Sequence, residues 1–346
     1  MNPLLREFRD QFLEKVLELL WRQWTAMGVS GHAEGSIQWM IDPEALLLAT
    51  CTFGRYEPRL FDEALDCLQA NGWVLNTQRV GTLLLRETWT GASVLAAVAG
   101  FLSRGTDALK WRRLAQHLPR SAKPEELFYF KDGRPLPLVG KSDPHFAAYG
   151  FRCDPLRLRG NARPFQPLQR ANLLVQLRAL LGVNARAEIV AYLLTHEAGH
   201  PTEIARAAYY HKRSIQNALV EMSKSGVVQA RSVGREKHYW LRAGEWRLLL
   251  QRPDNLPQWV SCPPLLSALE QIWVSLHDPR VEALEPPMLS SVLRQLMMKV
   301  RPGIERAGFG RCLRDDQHHP GEWYLPVFRS DVIRMLDEMS LSHPTG

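Results

Sequence analysis

The chain has 346 residues, of which 45% are hydrophobic and 23% charged, and a formal net charge of +7. That length predicts two or three domains with buried cores, and the composition excludes a disordered or fibrous chain. The basic balance makes nucleic acid or an acidic protein a better-matched partner than a basic one.

Residues 3–27 predict an amphipathic helix, because Leu5, Phe8, Phe12, Val16, Leu19 and Leu20 recur at helical spacing. Gly28 to Gly35 break it. Asp42-Pro43-Glu44 is a helix start, with Asp as N-cap and Pro in the first helical position. "EALLLATCTF" continues it as a buried helix. "RLFDEALDCLQANGWVL" predicts an amphipathic helix ended by Asn71-Gly72, and further helices are expected at 90–103 and 106–117. The tryptophans Trp21, Trp24, Trp39, Trp73 and Trp111 fall among apolar positions and are expected in the core.

From 119 to 170 helical periodicity is lost, and prolines stand at 119, 124, 135, 137, 144, 155, 164 and 167. "ELFYFKDGRPLPLVG" leaves room for one short strand or hairpin. Arg152, Arg157, Arg159, Arg163 and Arg170 face a single acid, Asp154; they read equally as an arm along phosphates or as an exposed linker. A helix resumes at 171–182, closed by Gly182, as a dimer element or a core helix.

The next stretch contains His196-Glu197-Ala198-Gly199-His200, which matches the H-E-x-x-H pattern of zinc hydrolases. That chemistry needs both imidazoles on one helical face and a third protein ligand. Pro201 forbids a helix through His200, because it lacks an N–H and clashes with the carbonyl of Glu197. The extension that would supply a third histidine is absent. We therefore expect a helix ending near Ala198 and then a turn, and no metal site.

The surrounding pattern predicts helices at 187–197, 201–210 and 214–226. Ile204, Ala205 and Ala208 point inward from the second, and Ile215, Leu219 and Met222 from the third. "HKR" reads as a tight turn between them. Two strands follow within 227–241 around Val233-Gly234, with Val228, Ala230, His238 and Trp240 expected on one face. After a Trp- and Pro-rich stretch at 244–265, helices are predicted at 265–276 and 288–300, "EWYLPVF" as strand-like, and 330–339 as a last helix.

"HPTEIARAAYYHKRSIQNALVEMSKSGVVQARSVGREKHYWL" resembles the winged helix-turn-helix of bacterial transcriptional regulators in the broad MarR-like and ArsR-like group, over residues 185–243. The resemblance implies a third helix entering the DNA major groove and a wing along the backbone. The matching positions are Lys212, Arg213, Ser214, Gln216 and Asn217 on the helix, and Arg231, Arg235 and Lys237 on the wing. Arg213 suits guanine, Gln216 or Asn217 suits adenine, and the others suit phosphates. Residues 201–244 hold eight basic residues against three acids.

The expected fold is mainly α with a small β-wing: a helical N-terminal domain at 1–118, compatible with a second, degenerate winged helix; a Pro/Arg-rich connecting layer at 119–170; a helix plus winged helix-turn-helix at 171–243; and a mostly helical C-terminal domain at 244–346. The expected function is sequence-specific binding of double-stranded DNA by a dimeric, non-enzymatic regulator without cofactor. The alternative is a winged-helix antitoxin or adaptor for a partner protein, similar in outline to antitoxins of abortive-infection nucleotidyltransferase systems.

Cys51, Cys67, Cys153, Cys262 and Cys312 are scattered, with no C-x-x-C spacing, and are expected to be reduced packing groups. His318-His319 beside Asp315-Asp316 are expected to be merely exposed, and His32 and His145 are lone. The charged N-terminal stretch does not read as a signal peptide, and no apolar run is long enough to span a bilayer, so a cytoplasmic protein without a membrane partner is expected.

Overall fold

The computed structural model describes residues 3–30, 37–105, 107–234, 236–252, 256–314 and 324–340. Helix α1 (Pro3–Ala26) buries the predicted stripe, from Leu5 to Trp24. Helix α2 (Pro43–Phe53) starts as expected, the Asp42 carboxylate accepting from Ala45 N at 3.0 Å. Every residue of α2 is buried, so it is the central helix, with α1 packed on it. Helix α3 (Pro58–Asn71) follows. A short 3-10 turn (Gly72–Val74) follows it, and α4 (Thr77–Arg86) then begins on an Asn76 cap. No strand pair occurs among the described residues of 37–118, so this region lacks the hairpin that a degenerate winged helix requires. Helices α5 (Ala92–Leu102) and α6 (Ala108–His117) complete it. Four of the five tryptophans sit in or against the core; Trp73 is 38% exposed and leans on Phe165.

Residues 119–172 strap this helical body rather than hanging from it. Strand β1 (Glu125–Glu126) pairs in parallel with β2 (Phe151–Arg152), and α7 (Pro144–Ala148) lies between them in sequence. A tight reversal at 128–136 is the anticipated hairpin, with Phe130 N bonded to Arg134 O and Leu136 N to Phe128 O. The arginine-rich part is pinned by its backbone: Asp66 accepts from Gly160, Asn161 and Ala162, and Arg163 N donates to Gly28 O at 2.8 Å. Gly28 (φ 110°) is required there, since a Cβ would lie 2.1 Å from Arg163 O. Arg152 is paired with Glu126, and Arg170 bonds to Gln38.

Helix α8 (Leu173–Leu181) is the core helix of the two alternatives, with Leu173, Leu174, Val175 and Leu177 buried. Then come α9 (Ala185–Thr195), α10 (Pro201–Ala208), α11 (Lys212–Lys224), the antiparallel pair β3 (Val228–Val233) and β4 (Glu236–Leu241), and α12 (Ala243–Leu249). The chain closes with α13 (Cys262–Leu276), α14 (Pro279–Glu282), α15 (Pro286–Arg306) and α16 (Tyr324–Ser340). "YLPVF" is thus the start of α16, not a strand; Pro326 falls in its first turn, where a missing N–H leaves no hydrogen bond unmade.

Buried side chains form two clusters. One joins α1–α6, the strap and α13–α16, so the N-terminal and C-terminal helices share a core across the chain. The other joins α8–α12 and the hairpin. The molecule is mainly helical with two small sheets, the five cysteines are unbridged and buried, and no helix among the described residues is long and apolar enough to cross a membrane.

Candidate nucleic-acid interface

The His196–His200 stretch is a hinge between helices. Helix α9 ends at Thr195, three residues before the expected place, because Thr195 Oγ1 turns back onto the Ala191 and Tyr192 carbonyls and His196 is extended. His196 lies flat on the Tyr192 ring, 3.9 Å between centroids. His200 is the N-cap of α10: its Nδ1 accepts from Thr202 N, and the Glu203 carboxylate accepts from His200 N at 2.9 Å. This is a reciprocal capping box. Between them, Gly199 exchanges two backbone hydrogen bonds with Tyr239 of β4. A Cβ on Gly199 would lie 2.8 Å from the Tyr192 ring. The two histidines thus serve different helices, and no group of three potential metal ligands occurs among the described residues.

The turn between α10 and α11 is made by Tyr209, left-handed at φ 57°. Its ring belongs to the first cluster, and its hydroxyl donates to Glu87. Tyr210 accepts a hydrogen bond from Asn76. Helix α11 then starts at Lys212, two residues before the predicted start, so Lys212 and Arg213 lie in its first turn rather than in the turn before it. Ile215, Ala218, Leu219 and Met222 are buried, whereas Lys212, Arg213, Ser214, Gln216 and Asn217 are all exposed. Neither Lys212 nor Arg213 has an ion pair among the described residues, while nearby Arg186 and Arg242 are paired with Glu221 and Glu245.

The hairpin register places Val228 opposite Leu241 and Ala230 opposite Tyr239. Tyr239 and Leu241 are therefore the inward residues of β4, not His238 and Trp240. Arg231 stands opposite His238 and Lys237 opposite Ser232, so these two exposed cations occupy opposite faces of the hairpin. Arg235 lies outside the described residues, as do His32 and the Asp315–His319 group. His145 is buried, its Nε2 2.8 Å from Ala97 O.

Beneath this surface lies a buried ion network that sequence reading missed. Arg79 of α4 binds both Asp42 oxygens and Glu44, and its Nε donates to Ala208 O at the end of α10. Arg178 of α8 binds Glu44 through both terminal nitrogens and also Glu188 of α9. Burial works against the charge of Arg178, and Glu44 and Glu188 more than offset it, so it titrates well above its usual range. Burial pushes the Glu188 carboxyl up against that attraction. Burial also opposes ionisation of Asp42, but Arg79 wins and holds it low. The only hints in sequence were charged residues at otherwise apolar positions. Comparison with protein families, with curated proteins and with solved structures finds no match to this chain.

Proposed function

We propose that the chain is a sequence-specific regulator that binds double-stranded DNA, with α9–α11 and the β3–β4 hairpin acting as a winged helix-turn-helix. The observation that carries this reading is the outer face of α11. Five residues able to read bases or phosphates are exposed there, over a fully buried apolar face. Two are cations in the first turn, which holds no acid. The macrodipole disfavours cations at that end, so they weaken the isolated helix. A polyanion over the turn removes the conflict. Arg213 and Gln216 or Asn217 would read base edges, and Lys212, Arg231, Arg235 and Lys237 would hold phosphates. In this reading the protein is no enzyme and acts as a dimer on paired half-sites.

Electrophoretic mobility shift of the full chain on its own upstream DNA, over a salt series, tests it. The wild type is expected to bind, and Lys212→Ala with Arg213→Ala to lower the salt slope by about one, through Lys212, and to relax selectivity, through Arg213. Absence of binding even at low salt would sink the proposal.

A second reading, an adaptor for a partner protein, is favoured by Leu248 and Leu249 of α12, which stand 74% and 63% exposed just after the hairpin. It predicts that Leu248→Lys with Leu249→Lys abolishes assembly seen by light scattering while DNA binding survives.

A further inference from the structure

Two adjoining cavities run from the start of α11 across the start of α4 to the outer face of α6. The first, about 470 Å³, is lined at one end by His211 and Ser214. The second, about 740 Å³, is lined at the other by Lys110, Arg113 and His117. They share Asn76, Gln78 and Val183, and so form one cleft. Among the described residues no aspartate or glutamate lines either part.

Three further features give the cleft its sign. The N-caps of α4, α9 and α11, namely Asn76, Asn184 and His211, all line it, so three helix N-termini meet there, that of α4 with the Glu44 carboxylate already on Asn76 N. Lys110, Arg113 and His117 sit at i, i+3 and i+7 on one face of α6. Arg113 is exposed and has no ion pair among the described residues; Lys110 is already held by Asp107.

We infer that this cleft is a second DNA contact, in which backbone phosphates flanking the site read by α11 pass over α4 and reach α6. The inference rests on the DNA-binding reading of α11 and extends it from the hairpin domain onto the helical body. An extended polyanion fits better than a compact ligand, because the described lining is elongated, carries no acid, and reaches the first turn of α11 at Ser214. The body thereby adds affinity but no base readout, as phosphate contacts do. It also fixes the angle at which α11 approaches the duplex.

Fluorescence anisotropy of the full chain on a duplex carrying its upstream sequence tests this, using Gln78→Glu and Arg113→Gln. Gln78 lies in the first turn of α4, where an acid favours the helix. Gln78→Glu is therefore expected to melt no lower than wild type yet bind DNA about tenfold more weakly, and Arg113→Gln to lower the salt slope by about one. Base preference should stay unchanged in both. If both variants bind with wild-type affinity and slope while Lys212→Ala with Arg213→Ala does not, the second contact is overturned and the α11 reading stands. If the wild type binds no duplex, both fall.

Discussion

Glu270 shows how far one residue's chemistry is set by its surroundings. It is fully buried on α13, and its carboxyl takes hydrogen bonds from Thr52, from the Thr90 hydroxyl and from Thr90 N. Burial outweighs these bonds and pushes it from 4.5 to about 7. Between those values the folded state binds more protons than the unfolded one, so this group's contribution to stability falls as pH rises from 4.5 to about 7. Gln mimics the protonated acid and removes the slope. Glu270→Gln is expected to gain on wild type by about 2–3 kcal/mol between pH 4.5 and 7.5, from urea denaturation at each pH. An equal difference at both pH values refutes the assignment. Residue-level chemistry also ends the helix before His200, and Pro201 was enough to read that break from sequence. The Gly199 contact with Tyr239 was not legible, because it depends on a strand forty residues away.

At the scale of elements, the order helix, helix, helix, hairpin from 185 to 241 was legible, because caps and periodicity are local. The capping box on α10 ties the turn to the helix it starts. Glu203→Ala should cost about 1 kcal/mol in chemical denaturation, from the lost bond to His200 N. A loss near zero would mean that water replaces the carboxylate. Helix α4 was missed although its Asn76 cap and one-sided apolar pattern were present, since Gly81 and the following Thr-rich stretch mask a short helix. The phase of β4 was misread for a different reason. His238-Tyr239-Trp240-Leu241 is amphipathic in either phase, and only pairing with Val228 and Ala230 selects Tyr239 and Leu241.

Across the whole molecule, the two cores are joined through charge. Arg178, Glu44 and Arg79 link α8, α2 and α4, and Arg79 reaches the last carbonyl of α10. Arg178→Met leaves Glu188 buried without its cation and Glu44 with Arg79 alone, and should cost about 3–5 kcal/mol in urea denaturation followed by tryptophan fluorescence. A loss under about 1 kcal/mol would show that the network holds position without contributing much stability. The same junction explains why Tyr209 takes a strained left-handed turn: its ring is anchored in the first core.

By itself the sequence determined most of the long helices, the Asp42 cap, the chemistry available on α11 and the exclusion of a helix through His200. These follow from backbone sterics, capping and periodicity, which act over a few residues. Only the tertiary structure decided that the first and last helices share a core, that α8 is internal, which face of β4 turns inward, and that a cleft with no acid among its described lining residues runs from α11 to α6. Each of these depends on residues far apart in the chain, and long-range packing leaves no periodic trace in the residues that will meet.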